Sequence, residues 1–200
     1  MLRIIFSEKD LKHGGPAIFL DRDGVINCRR PGDYVLDWTQ FVFVPGIQAA
    51  LKQLATLNLP MILISNQAAV GKGLLDLATL EEITGRMQKA LLADGVSLAA
   101  AFYCTHRADE NCDCRKPLPG MLTCAANEFG LDLQQSIFIG DSATDVQAGL
   151  AAGCKSILFG STDVKSFQGS SSAHRISVAR SVEELFSVCV ESLNRSAERD

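Results

Sequence analysis

In Ala17-Ile18-Phe19-Leu20-Asp21-Arg22-Asp23-Gly24-Val25-Ile26-Asn27, an apolar run leads directly into two aspartates and a glycine. An uninterrupted apolar run is typical of a strand that is buried on both faces of a parallel sheet. Ligand sites in open α/β sheets lie outside the carboxyl ends of the strands, so we predict a functional site at Asp21 and Asp23. An aspartate-rich turn is one alternative. A calcium loop is another, but it needs further oxygen ligands and a closing glutamate, which the residues after Gly24 do not supply.

The composition indicates one globular domain that spans residues 1–200. The chain is 47% hydrophobic and 21% charged, and a chain of this length buries roughly 70% of its unfolded surface. The net charge of −4 disfavours nucleic acid or an anionic membrane as a partner. No apolar run is long enough to span a bilayer, and the apolar part of residues 1–10 is too short for a signal peptide. We therefore expect a cytoplasmic monomer with reduced cysteines.

Strand and helix patterns alternate along the chain. Buried strands are predicted at 17–21, 60–65, 98–104, 136–140 and 155–159, with a short extra strand within 1–7. The spacing of apolar residues predicts helices at 46–58, 77–93, 119–129, 143–152 and 181–194. Residues 24–45 carry little helical signal, so we expect a loop above the end of the first buried strand. Alternation of this kind predicts an α/β fold with a parallel sheet flanked by helices.

Polar side chains follow two more of the predicted strands. Ser65, Asn66 and Gln67 come at the end of one strand. Their hydroxyl and amide groups can donate hydrogen bonds to phosphate oxygens, although such residues are also common in ordinary turns. Asp141 and Asp145 follow another strand, and a helix cap explains one of them equally well. Carboxylates that converge at one sheet edge repel each other unless a cation joins them, and such oxygen ligands suit Mg²⁺.

A cluster of cysteines and one histidine precedes the basic pair Arg115-Lys116. The cluster has the spacing Cys-x-His-x5-Cys-x-Cys and consists of Cys104, His106, Cys112 and Cys114. Three thiols and one imidazole match a closed structural zinc site, although the spacing is tighter than in common zinc motifs. A disulfide between the last two cysteines is the alternative, which a reducing compartment disfavours. A zinc-binding loop at 104–114 would hold the two cations where they can neutralise a phosphoryl group.

Together these motifs resemble those of the haloacid dehalogenase superfamily of phosphatases. The similarity is carried, in the same order, by Asp21-x-Asp23-Gly24, Ser65-Asn66-Gln67, Arg115-Lys116-Pro117 and Gly140-Asp141-x-x-x-Asp145. The cysteine and histidine cluster is similar to that of one branch, which contains the heptose bisphosphate phosphatases and the histidinol-phosphatases. The resemblance runs from about residue 17 to residue 160. It implies a Rossmann-like three-layer sandwich around a central parallel sheet, with a minimal cap.

The resemblance also implies a two-step reaction on a small phosphorylated metabolite. Asp21 is expected to attack phosphorus and form an aspartyl-phosphate. Asp23 is expected to protonate the leaving group and then to deprotonate water. The phosphoryl oxygens are expected to contact Ser65, Asn66 and Lys116. The implied Mg²⁺ ligands are the Asp21 carboxylate, the Asp23 backbone carbonyl and Asp141. The implied substrate-binding residues are Arg29, Arg30, Pro31, Gly32, Asn66, Gln67 and Arg115.

Two substrates stay open within this branch. Phe41–Gly46 and Arg115–Leu122 are similar to heptose bisphosphate phosphatases, and Arg29-Arg30 suits a substrate with two phosphates. The five-residue gap before Cys112 is similar to histidinol-phosphatases, and Ser142 stands where some heptose enzymes are expected to have lysine. A phosphotransferase is a further possibility, since an aspartyl-phosphate can pass to an acceptor other than water. The alternative from a different class is a non-catalytic binding module that zinc braces.

Overall fold

The computed structural model describes residues 1–7, 14–30, 32–160 and 172–195. The strands in this part of the chain are β1 (Leu2–Ile5), β2 (Ile18–Leu20), β3 (Met61–Asn66), β4 (Ala100–Cys104), β5 (Ile137–Gly140), β6 (Lys155–Phe159) and β7 (Ile176–Ala179). They form one sheet with the order β1-β4-β3-β2-β5-β6-β7. Neighbouring strands are parallel, except that β1 pairs antiparallel with β4 at one edge.

β2 lies at the centre of the sheet. Ile18 is in register with Met61 of β3 on one side and with Ile137 of β5 on the other. All three residues of β2 are fully buried, as the uninterrupted apolar run predicts. Ile18 and Leu20 belong to one hydrophobic core cluster and Phe19 to a second. Successive side chains of a strand point to opposite faces, so each face of the sheet has its own core.

Helices cover both faces of the sheet. They are α1 (Ile47–Ala55), α2 (Ala68–Gly71), α3 (Leu77–Ala93), α4 (Gly120–Phe129), α5 (Ala143–Ala152) and α6 (Val182–Asn194). α1, α3 and α6 contribute to the core that holds Ile18, whereas α4 and α5 contribute to the core that holds Phe19. The prediction of an α/β sandwich with a central, mostly parallel sheet is therefore confirmed. None of the helices in the described residues is both long and apolar enough to cross a membrane.

The predicted strands and helices lie within a few residues of the observed ones, but β7 and α2 are not predicted. β7 is an edge strand of only four residues, most of them partly buried, and a run this short gives little periodic signal in the sequence. The expected loop before α1 is present and contains one turn of 3-10 helix at Trp38–Gln40. A bridge between Asn27 and Phe43 ties this loop back to the chain that leaves β2.

Candidate active site

A buried lysine lies among the polar residues at the carboxyl ends of β2, β3 and β5. The Lys116 ammonium is 2.8 Å from Asp21 Oδ1 and 2.6 Å from Asp145 Oδ1. It also donates a hydrogen bond to the backbone carbonyl of Ile64 at 3.0 Å. Burial alone would lower the pKa of Lys116, but the two carboxylates raise it above its ordinary value. Lys116 therefore carries a buried positive charge in direct contact with Asp21.

Three carboxylates face one another around this lysine. Oxygens of Asp21, Asp141 and Asp145 lie within 4.8 Å of one another. Burial raises the pKa of Asp21 to about 7 against the opposing charge of Lys116, and burial raises the pKa of Asp141 to about 6. Asp141 Oδ1 is buried without a hydrogen-bond partner among the described residues. An unpartnered carboxylate oxygen within a cluster of acids fits a hard divalent cation such as Mg²⁺.

Two glycines allow these acids to approach the backbone. A Cβ atom on Gly24 would lie 1.9 Å from Asp141 Oδ2, and a Cβ atom on Gly140 would lie 2.1 Å from Asp145 Cβ. Gly24 also has a φ of 92°, which favours glycine. Asp145 closes the N-terminus of α5, because the Ser142 backbone N–H donates to Asp145 Oδ2 at 3.1 Å. Asp145 thus fills the helix-cap role and belongs to the carboxylate cluster as well.

Asp23 accepts four hydrogen bonds from three side chains. Arg22 Nη2 donates to Oδ1 at 3.0 Å and to Oδ2 at 3.1 Å. Asn27 Nδ2 donates to Oδ1 at 2.9 Å, and Gln67 Nε2 donates to Oδ2 at 2.8 Å. Burial by itself would raise the pKa of Asp23, but the charge of Arg22 and these hydrogen bonds together lower it. Asp23 is therefore a carboxylate with a fixed orientation, which is the form that takes a proton from water.

The polar residues at the end of β3 hold their neighbours in place. Asn66 Oδ1 accepts from the Lys116 backbone N–H, and Asn66 Nδ2 donates to the Lys116 carbonyl, both at 3.1 Å. Gln67 is buried, and its amide nitrogen also donates to Ser65 Oγ at 3.1 Å. Gln67 contacts Asp23 but does not border the cleft that Ser65 and Asn66 line. In this structure Gln67 contacts Asp23 and Ser65, and the substrate contact expected for it stays a prediction.

A cleft of about 730 Å³ opens above these residues. It is lined by these sequence-predicted residues: Asp21, Asp23, Arg29, Arg30, Gly32, Ser65, Asn66, Arg115 and Lys116. Tyr34 and Ser142 also line it, although the sequence assigns no contact to Tyr34. Arg29 Nε is 3.3 Å from Asp141 Oδ2, whereas Pro31 lies outside the described residues. Arginines of the loop and of the segment before Lys116 make the cleft suitable for a ligand with more than one anionic group.

The cysteine and histidine cluster converges at the end of β4. Cys112 Sγ is 3.6 Å from both Cys104 Sγ and Cys114 Sγ. His106 Nδ1 is 3.2 Å from Cys114 Sγ and 3.6 Å from Cys104 Sγ. A tetrahedral zinc site with ordinary bond lengths has edges of about 3.8 Å between sulfurs and about 3.6 Å between sulfur and nitrogen. The thiols are free rather than disulfide-bonded, and the donor set fits a structural zinc ion.

Known proteins with similar sequences support this interpretation of the site. A family model described as HAD-hydrolase-like matches residues 113–185. The D-glycero-beta-D-manno-heptose-1,7-bisphosphate 7-phosphatase of Helicobacter pylori is 41% identical over 143 residues, which cover 71% of this chain and 81% of that protein. The D-glycero-alpha-D-manno-heptose-1,7-bisphosphate 7-phosphatase of Mycobacterium tuberculosis is 37% identical over 150 residues, or 72% of this chain and 79% of that protein.

Solved structures give the same result. The D,D-heptose 1,7-bisphosphate phosphatase of Bordetella bronchiseptica, complexed with magnesium and phosphate, has a TM-score of 0.79 at 32% identity. That match covers 88% of this chain and 98% of the Bordetella chain. A putative HAD-like phosphatase from Mesorhizobium loti has a TM-score of 0.83 at 26% identity, with 99% and 94% of the two chains covered.

The sheet order, the two aspartates after β2 and the buried lysine beside them define a phosphatase of the haloacid dehalogenase superfamily. The enzyme is thus a phosphoric monoester hydrolase. Within that superfamily, the chain belongs to the family of the heptose bisphosphate phosphatases. The resemblance inferred from the motifs is therefore confirmed.

Proposed function

We propose that the chain removes the 7-phosphate of D-glycero-D-manno-heptose 1,7-bisphosphate and leaves heptose 1-phosphate for the synthesis of heptose-nucleotide precursors. The names of the relatives support this substrate. The observation that carries the proposal is the ion pair between Asp21 and Lys116 beside the carboxylate cluster. This arrangement joins a nucleophile, a cation for the phosphoryl group and ligands for Mg²⁺ at one place.

In the first step, Asp21 attacks phosphorus. Asp21 Oδ1 accepts from the Arg22 backbone N–H at 2.7 Å and contacts Lys116, whereas Oδ2 has no hydrogen-bond partner among the described residues. Oδ2 forms the bond to phosphorus, the bond from phosphorus to the sugar oxygen breaks, and Asp23 gives its proton to the leaving oxygen. A phosphate dianion beside Asp23 raises the pKa of Asp23 by like-charge repulsion, so the bound substrate favours the protonated acid.

In the second step, Asp23 acts as a base. It takes a proton from water, the water oxygen attacks phosphorus, and Asp21 leaves as a carboxylate. Asp23 keeps this proton and is ready for the next leaving group. Lys116 neutralises charge on the phosphoryl group in both steps, and Ser65 supplies a hydroxyl donor at the wall of the cleft.

Mg²⁺ is the metal that the acids at this sheet edge fit. The residues proposed to hold it are Asp21, the backbone carbonyl of Asp23, and Asp141. When bound, the ion neutralises negative charge between the nucleophile and the phosphoryl group. Asp145 lies in the same cluster, but Lys116 and the start of α5 engage its oxygens.

We propose zinc as a second, structural metal, bound by Cys104, His106, Cys112 and Cys114. The closed ligand set leaves no position for a substrate, so this zinc would brace the loop that leads into Arg115 and Lys116. The ligands must remain reduced, which supports a cytoplasmic location for the chain. Metal analysis of freshly purified, reduced protein tests this site, and protein without zinc would contradict it. The monomeric state remains a prediction that sedimentation equilibrium tests.

A phosphate-release panel tests the substrate. The panel compares four substrates at equal concentration in the presence of Mg²⁺: the two anomers of heptose 1,7-bisphosphate, histidinol phosphate and a sugar monophosphate. We expect the highest kcat/KM with one anomer of the bisphosphate, because the arginines of the cleft provide for a second phosphate. Faster hydrolysis of histidinol phosphate would overturn the assignment of heptose bisphosphate as the substrate. If no compound releases phosphate, the result would support the non-catalytic binding module. Asp21→Asn serves as the inactive control that folds normally.

A further inference from the structure

Arg22 is a charged residue that is almost completely buried beside the site. It stands between the two aspartates of the motif and is 1% exposed. Its Nε and Nη1 atoms are buried and have no hydrogen-bond partner among the described residues. Within the same part of the chain, its ion-pair partner is Asp23. Both hydrogen bonds that this side chain makes to described residues therefore run from Nη2 to one carboxylate.

Stability does not explain an arginine at this position. A buried ion pair loses hydration that its mutual attraction often fails to recover, and apolar residues of similar volume are often neutral or stabilising in its place. Two unpartnered buried nitrogens add a further cost. The position is in the same loop as the buried apolar residues Val25 and Ile26, so an apolar side chain would suit the surroundings. We therefore attribute the unfavourable burial of Arg22 to an effect of its side chain on Asp23.

The contacts show what this effect is. Arg22 Nη2 bridges both oxygens of Asp23, at 3.0 and 3.1 Å. Asn27 holds Oδ1 and Gln67 holds Oδ2, and both of these donors are neutral amides. Among these contacts Arg22 supplies the charged donor, and it contacts both oxygens at once. Because Asp21 is held by the Arg22 backbone N–H and not by the side chain, a change of side chain leaves the contact to Asp21 intact.

We propose that Arg22 is a positioning residue that orients Asp23 for both proton transfers while leaving Asp21 unaffected. This inference rests on the acid and base role proposed for Asp23. It separates the two aspartates in a testable way, since removal of the side chain disturbs the proton shuttle and preserves the nucleophile. A misplacement of about 1 Å in a reacting group can cost about 10²-fold in rate, and general acid or base catalysis contributes about 10²–10⁴-fold.

A double-mutant cycle tests the proposal. Single-turnover rates with heptose 1,7-bisphosphate are measured for the wild type, Arg22→Met, Asp23→Ala and the double variant. We expect Arg22→Met to lose about 10²-fold in the wild-type background and to lose nothing further when Asp23 is already alanine. An equal loss in both backgrounds would overturn the proposal. Wild-type turnover by Asp23→Ala would instead overturn the role of Asp23, so the two failures are distinguishable.

The leaving group gives a second readout that a purely structural role would not produce. p-Nitrophenolate leaves without needing a proton, so Arg22→Met should keep the rate of the first-turnover burst of p-nitrophenol. The first-turnover rate with the sugar phosphate should fall, and so should the later steady-state rate with either substrate, because the second step needs Asp23 as a base. Arg22→Lys keeps the buried charge with a single ammonium and should recover part of the sugar-phosphate rate. If Arg22→Met does not fold, Arg22→Lys carries the same comparison. An equal loss of the first-turnover rate with both leaving groups would contradict the proposal.

Discussion

Gly24→Ala tests the close approach between the loop after β2 and Asp141. The new Cβ atom would lie 1.9 Å from Asp141 Oδ2, whereas real contacts of this kind are essentially never under 3.0 Å, so the carboxylate must move by at least 1.1 Å. Metal ligands tolerate deviations of only about 0.2 Å. We therefore expect Mg²⁺ to activate the variant with about 10–100-fold weaker affinity, the range seen when support for a metal ligand is lost.

Gly153→Ala is the matched control for backbone strain. Gly153 has a φ of 88°, close to the 92° of Gly24, but a Cβ atom there would meet nothing within 4 Å. In both variants, an alanine in the left-handed conformation lowers the free energy of unfolding by about 1–2 kcal/mol. Urea denaturation of the metal-free proteins measures this loss. Only Gly24→Ala should shift the Mg²⁺ titration of activity. Equal Mg²⁺ midpoints in the two variants would refute the argument that Gly24 makes room for Asp141.

Three further predictions follow from the site. Asn66→Ala removes both hydrogen bonds to the Lys116 backbone, so we expect a loss of about 1–3 kcal/mol of stability and a lower kcat; unchanged stability in urea denaturation would contradict this. In the metal-free protein, the folded pKa values of Asp21 and Asp141, raised to about 7 and about 6, lie above their unfolded values. Their stabilising effect is therefore complete at low pH and is lost as pH rises through the folded values. The increase in Tm on adding Mg²⁺ should consequently be larger at about pH 8 than at about pH 6, and the reverse order would count against the cluster. Cys112→Ser should remove bound zinc and lower both Tm and kcat while leaving the Mg²⁺ midpoint unchanged; a shift of that midpoint would show that the two sites are not independent.

Much of the fold was predictable because its signals are local. The buried run at Ile18–Leu20 predicts a central strand, and the alternation of strands and helices predicts a parallel sheet. These patterns do not predict that β1 pairs antiparallel with β4 or that β7 pairs with β6. Both pairings depend on which edge of the sheet remains open. β7 consists of only four residues, Ile176–Ala179, which is too short a run to give a clear periodic signal.

The site was predictable where residue chemistry recurs at strand ends. Asp21 and Asp141 belong to one carboxylate cluster, and Lys116 contacts Asp21, as expected. What the sequence could not supply is the direction of side chains. Gln67 has the same amide as Asn66, yet it points to Asp23 and not to the cleft. The residue between the two aspartates carries no signal in the motif, and its burial emerges only from the tertiary structure.

The most direct measurement for the proposed mechanism is the capture of the phosphoryl-enzyme. The reaction with heptose 1,7-bisphosphate and Mg²⁺ is quenched with acid during the first turnover, and the peptide that carries the added phosphoryl mass is identified. We predict the label on Asp21 of the wild type and no label at this position in Asp21→Asn, because that variant lacks the nucleophile. Phosphate release in a single turnover with no label on Asp21 would contradict the account.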